Sequence, residues 1–140
     1  MFIWDDSVKT GVPLVDVQHK VFFDTFNELE AHLAQGINVA TVKKTLTFLK
    51  YYAEWHFDRE EKCMDKYRCP VATINKNAHA IFLEKFTRMY HEFQESPDAE
   101  DMARRILAEL SDWLVNHIKR VDTHLAASIP EADKQRAETK

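Results

Sequence analysis

Glycine is nearly missing from this chain: two in 140 residues, with four prolines. So few turn-formers exclude a fold built from many hairpins and leave long helices as the economical reading. Cysteine is equally scarce. Cys63 and Cys69 lack the CxxC spacing of a redox or zinc motif, and read as reduced thiols, with Cys63 a small core residue. No apolar run approaches the roughly 18 residues that a bilayer span needs. The opening MFIWDDSVKTG has neither the basic start nor the apolar stretch of a secretion signal, so a cytoplasmic setting is expected. Positive charge is not in excess either. A net charge of −4, a pI near 6.0 and scattered Lys and Arg argue against a nucleic-acid or anionic-membrane surface.

What the chain does have is nine phenylalanines and seven histidines, in a composition 45% hydrophobic and 30% charged. That balance suits one soluble domain with a real core. The prolines fall between periodic segments: Pro13 before the first, Pro70 and Pro97 at later boundaries, Pro130 after the last. Gly36 sits where the first helix should end, Asn38 or Thr41 can cap the second, and Ser96 can cap the fourth. Apolar spacing then predicts four helices, about 14–35, 39–67, 71–95 and 97–128. Short links between them favour antiparallel neighbours. The expectation is all-α: an up-down-up-down four-helix bundle with an N-terminal arm, occupying residues 1–129, and a charged, frayed tail at 130–140.

Several histidines lie on the apolar stripes. His19 falls between Val15 and Phe22. His56 continues the line through Leu49, Tyr52 and Ala53. His79 aligns with Phe82 and Phe86, and His117 lies between Leu114 and Val121. Any one of them reads most simply as a satisfied core or boundary histidine. Their heights change that. His19 and His79 are near the starts of their helices, His56 and His117 near the ends of theirs, so an antiparallel bundle gathers all four at one end. Independent core residues have no reason to converge in a layer, whereas ligands of a shared metal must. Glu60 joins them at i,i+4 from His56, in HFDRE. A carboxylate on an apolar face is costly to bury unless it is paired or bound to a cation.

Asp122 follows His117 by five residues, about 140° around an ideal helix, so it does not share its face. It either reaches in from the stripe's edge, enters through a π-widened helix, or points to solvent beside Lys119 and Arg120. His124 is a rival donor, two turns from His117. His32 and His91 lie far from the layer. Asn75 precedes His79 by one turn; it faces the same stripe, yet it is also a favoured cap near Pro70.

Together these segments resemble the hemerythrin family, in its single-domain bacterial form. Trp4, Gly11, Asp16, Gln18-His19, Phe23 and Asn27 are similar in spacing to the family's arm and first helix. HFDRE resembles its His-x3-Glu motif, AHAIFL its His-x2-Phe-Leu, and WLVNHIKRVD its His-x4-Asp. The resemblance runs from about Trp4 to Leu125. It implies a non-heme di-iron centre that binds dioxygen or a related diatomic. His19 and His56 would hold one iron and His79 and His117 the other. Glu60 and Asp122 would bridge the two, beside an oxo or hydroxo group, and His124 is demoted. The family usually places a third imidazole where this chain has Asn75, which could ligate or hold a water. The expected role is an oxygen or redox sensor or an oxygen-handling module, more a binder than a catalyst. The alternative is a di-iron enzyme using peroxide, nitric oxide or oxidase chemistry at a more open iron. Trp55 and Trp113 are candidates for the wall of the site.

Overall fold

A computed structural model describes residues 2–36 and 38–136. Four long helices dominate: α1 Pro13–Ala34, α2 Val39–Lys66, α3 Ala72–Glu95 and α4 Ala99–Arg120, with a short α5 at Leu125–Ser128. α1 and α3 each pack against both α2 and α4, so the four close into a ring, as the periodicity requires. Among the described residues there is no strand, and no helix is long and apolar enough to cross a membrane.

The helix ends follow local chemistry. Pro13 occupies the first turn of α1, where its missing N–H costs nothing. The Asn38 side chain accepts from the Thr41 N–H at 3.2 Å and starts α2. At α4 the cap is Asp98, not Ser96: Asp98 Oδ1 accepts from the Asp101 N–H at 3.0 Å, while Ser96 Oγ accepts from the Asp98 N–H one step earlier. Such a cap is worth about 1 kcal/mol. Glu100 and Asp101 in the first turn of α4, and Lys119 and Arg120 in its last, complement the helix dipole. Gly36 follows the C-cap of α1 in the left-handed region at φ +95.

The fourth helix is not continuous to residue 128. It stops at Arg120; Val121 is its C-cap at φ −118, ψ −57, and Asp122–His124 forms a 3₁₀ turn before α5.

The arm before α1 is tied down residue by residue. Asn27 clasps Phe2, accepting its N–H at 2.6 Å and donating to its carbonyl at 2.9 Å. Trp4 meets Phe23 edge-on at 5.4 Å. Asp16 accepts from both the N–H and the hydroxyl of Thr10 at 2.8 Å. After Pro130 the chain forms a 3₁₀ segment at Glu131–Arg136, where Tyr67 donates to Asp133 at 3.3 Å, so this part is docked and not frayed. The rest of the expected tail, 137–140, lies outside the described residues.

The apolar core is in two pieces. The larger runs from Leu33, Leu46 and Phe93 up to Phe22, Phe57, Phe82 and Ile118. The smaller, at the other end, gathers Val12, Val15, Cys63, Met64, Val121 and Leu125. Both cysteines are buried and are not joined in a disulfide. Between the two pieces lies a layer of buried polar side chains.

Candidate metal centre

Every donor on the four stripes reaches that layer. His19 comes from the second turn of α1, His56 and Glu60 from the second half of α2, Asn75 and His79 from the start of α3, and His117 from the last turn of α4. Asp122 enters from the 3₁₀ turn. His19, Glu60 and Asn75 have no exposed surface, and His56, His79 and Asp122 are only 1% exposed. His117 is the most open at 6%.

The break at Val121 resolves the angle of Asp122. The helix neither widens into a π-turn nor leaves Asp122 facing solvent. It ends, and the tighter turn swings the carboxylate inward, while His124, two residues on, is exposed.

The carboxylates are shared across the layer. Glu60 Oε2 lies 3.3 Å from His19 Nε2 and 3.2 Å from His56 Nε2, and its Oε1 lies 3.1 Å from His79 Nε2. Asp122 Oδ2 is 3.1 Å from His19 Nε2, and its Oδ1 is 3.3 Å from His117 Nε2. Each acid therefore gives one oxygen to the His19 side and the other to the His79–His117 side. Donor atoms of His19, His56 and Glu60 all fall within 4.8 Å of one another, as do those of Glu60, His79, His117 and Asp122.

Hydrogen bonding among these groups does not account for all of them. Among the described residues, Glu60 Oε1, Asp122 Oδ1 and Asn75 Nδ2 are buried without a hydrogen-bond partner. Two carboxylate oxygens held near imidazole nitrogens, yet not hydrogen-bonded, waste buried charge unless a cation lies between. Imidazole and carboxylate together suit iron, and also manganese or zinc. The residues present fit a metal.

Without metal, the cluster's electrostatics are those of trapped protons. Burial opposes charge on His19, but hydrogen bonds to Asp122 and Glu60 outweigh it and push the imidazole up to about 10. His79 is opposed by burial too, and is pushed up to about 9 by the Glu60 and Glu61 carboxylates beside its two ring nitrogens. For His56 burial wins, and its basicity falls. Burial would raise Glu60, but the three imidazoles around it hold it well below the usual carboxylate range. A metal would do the same work with more charge.

The rings are held from behind and from the side. Gln18 Oε1 accepts from His56 Nδ1 at 2.5 Å, and the Gln18 carbonyl accepts from the Tyr52 hydroxyl at 2.9 Å. Glu61 Oε2 accepts from His79 Nδ1 at 2.9 Å. Phe57 stacks on His79 at 3.8 Å between centroids, and Trp113 stacks on His117 at 4.6 Å. Trp113 is thus part of the wall. Trp55 is not: it is 44% exposed and lies under the Arg59 guanidinium.

Asn75 is in the layer and caps nothing. It sits in the first turn of α3 after the start at Ala72, fully buried, with Oδ1 accepting from His117 Nε2 at 2.8 Å. His32 and His91 instead pair with Glu28 and Glu95 on their own helices. Glu61 gave no sign in the sequence. As the neighbour of Glu60 it is about 100° off the stripe, and only the approach of α3 turns it toward His79.

Outside the layer, a groove of about 660 Å³ runs between α3 and α4, lined by Ile74, Ala78, Trp113, Asn116, His117 and Arg120 among others. It reaches the polar layer at His117.

The sequence also matches known proteins. Residues 10–129 match the profile of the Hemerythrin HHE cation binding domain. The bacteriohemerythrin of Stenotrophomonas maltophilia is 28% identical over 130 residues, covering 92% of this chain and 82% of the relative. That of Pseudomonas aeruginosa is 29% identical over 120 residues, covering 86% and 76%. That of Methylococcus capsulatus is 33% identical over 115 residues, covering 81% and 84%. The chain belongs to the hemerythrin HHE cation-binding family.

Proposed function

We propose that this chain is a non-heme di-iron protein that binds dioxygen, serving as an oxygen or redox sensor or an oxygen-handling module. The observation that carries it is the division of each acid between the two sides of the layer: Glu60 faces His19 and His56 with one oxygen and His79 with the other, and Asp122 faces His19 and His117 in the same way. Cations held in the layer would supply the counter-charge that those four buried oxygens call for.

In this reading His19 and His56 hold one iron, His79 and His117 the other, and Glu60 and Asp122 join them. Reduced iron held by these residues would supply the electrons that dioxygen binding draws on. The chain's part is to hold that pair rigid and dry. Phe22, Phe57 and Trp113 pack against the imidazoles and keep bulk water from protonating what binds there. Asn75 either ligates through its amide oxygen or holds a water at the second iron, where imidazole is the usual family donor.

A second reading is favoured by the groove at His117. An open approach to the side of the site that has Asn75 would let a small substrate in, supporting peroxide, nitric oxide or oxidase turnover. Location in the cytoplasm and dioxygen as the partner belong to the first reading.

The test is metal content with the ultraviolet–visible spectrum, recorded as purified, after anaerobic reduction and after air. Two irons per chain, oxo-bridge absorption when oxidised and a reversible change on oxygenation are expected. Rapid turnover with peroxide or an added donor would shift the conclusion to the enzyme. One metal or none, under conditions that preserve iron, would overturn the di-iron reading.

A further inference from the structure

The imidazoles of the layer are not supported alike. His56 Nδ1 donates to a neutral amide oxygen, that of Gln18. His19 Nδ1 is buried with no hydrogen-bond partner among the described residues. His79 Nδ1 donates to a carboxylate, Glu61 Oε2, at 2.9 Å. This partner lies just outside the layer: the Glu61 side chain is 29% exposed, against 1% for His79. Lys76, which could compete for Glu61, pairs instead with Asp65 at 2.7 Å.

The unequal support coincides with an unequal donor set. Asn75 shares the side of the layer that holds His79 and His117, and an amide oxygen is a weaker donor than imidazole. A carboxylate behind an imidazole raises the basicity of its far nitrogen and fixes the ring's tautomer, so that the Nε2 lone pair points at the metal. The only buried imidazole described with such a carboxylate on Nδ1 is thus on the side that has Asn75.

We propose that Glu61 is the positioning residue for the second metal, orienting His79 and strengthening it as a donor to offset the amide at position 75. The proposal rests on the two-metal reading of the layer. Glu61 does not touch the metal. It holds Nδ1–H, so that His79 presents Nε2 toward Glu60 Oε1, 3.1 Å away.

The test uses cobalt(II) titrated into the metal-free full chain against a competing chelator, with the visible bands of bound cobalt giving stoichiometry and affinity. It needs neither iron nor oxygen chemistry. Wild type should take up two cobalt ions. E61A should weaken the second by about 10–100-fold and leave the first unchanged. E61Q keeps an acceptor but loses the charge, and should fall between wild type and E61A. Equal weakening of both ions in E61A, with E61Q no better, would mean a general structural loss and would overturn the proposal. So would unchanged affinity for both. Far-ultraviolet circular dichroism of each variant checks that the bundle is intact; if E61A is unfolded, the folded E61Q decides, and an unaltered second affinity there defeats the charge argument. Wild type binding fewer than two cobalt ions would count instead against the two-metal reading itself.

Discussion

Asn75 Oδ1 lies 2.8 Å from His117 Nε2, and both side chains are buried at the meeting of α3 and α4. In the proposed two-iron reading, the amide stands where an imidazole on the same turn of α3 would address the second metal. Its Nδ2 has no hydrogen-bond partner, so the side chain is held by its acceptor end alone. An amide used only for packing would satisfy both ends. This one is better explained as facing a ligand.

Replacing Asn75 by His should complete the usual family donor set. The oxygenated form of the reduced protein should then live longer, with a shifted spectrum, because a third imidazole closes the more open iron. Decay in air followed at the oxygenated band reads the effect. An unchanged lifetime and spectrum would show that position 75 does not matter to the site.

Glu60 lies close to three imidazoles at once, at 3.1–3.3 Å from each. E60A should therefore lower iron from two per chain to one or fewer, since both sides lose an oxygen. In the metal-free protein it also strips the buried imidazoles of their counter-charge, at a cost on the order of 3–5 kcal/mol. Metal analysis and urea denaturation check the two effects separately. Full retention of two irons would remove Glu60 from the bridge.

Gly11 and Gly36 both adopt positive φ, +88 and +95, but only Gly11 is crowded: a Cβ there would meet Ala126 Cβ at 3.3 Å, whereas nothing lies near Gly36. Gly11→Ala pays the left-handed penalty and also pushes α5, just beyond the Asp122 turn. Gly36→Ala pays only the penalty, about 1–2 kcal/mol. The melting temperature should fall further for G11A than for G36A. Equal falls would mean that α5 yields freely.

Much of this was legible in the sequence because two regularities agreed. The prolines and the apolar period located four helices to within a residue or two at most ends, and antiparallel order alone put His19, His56, Glu60, His79 and His117 at one height. Asp122 was not legible from periodicity, because its direction depends on where α4 stops, and that is set by the backbone of Val121. Asn75 was ambiguous for a related reason: a favoured cap residue near a helix start looks the same whether α3 begins beside it or at Ala72. Ser96 misled because the hydroxyl caps the turn before the helix, leaving the helix to Asp98. Trp55 and Trp113 are the same residue type on apolar-looking helices, and only the neighbouring helix decides which is covered.

The protons trapped in the layer give the metal-free and metal-bound proteins opposite responses to pH. His19 and His79, pushed up to about 10 and about 9 from an ordinary 6.5, hold protons in the folded state that the unfolded chain releases near 6.5. Their stabilisation is complete below pH 6.5 and is lost as pH rises through 9 and 10. His56, lowered by burial, works the other way: its contribution is present above 6.5 and lost as pH falls. The melting temperature of the metal-free protein should therefore peak near neutrality and decline from about pH 7 to 10. Metal binding requires both raised imidazoles to be neutral, so affinity should rise across that same range, and zinc added at pH 7.5 in weak buffer should release the protons of His19 and His79. Thermal melts from pH 5 to 10 and an indicator-dye titration with zinc measure the two trends. A melting temperature that climbs from pH 7 to 10, with no acid released on zinc addition, would place the protons elsewhere.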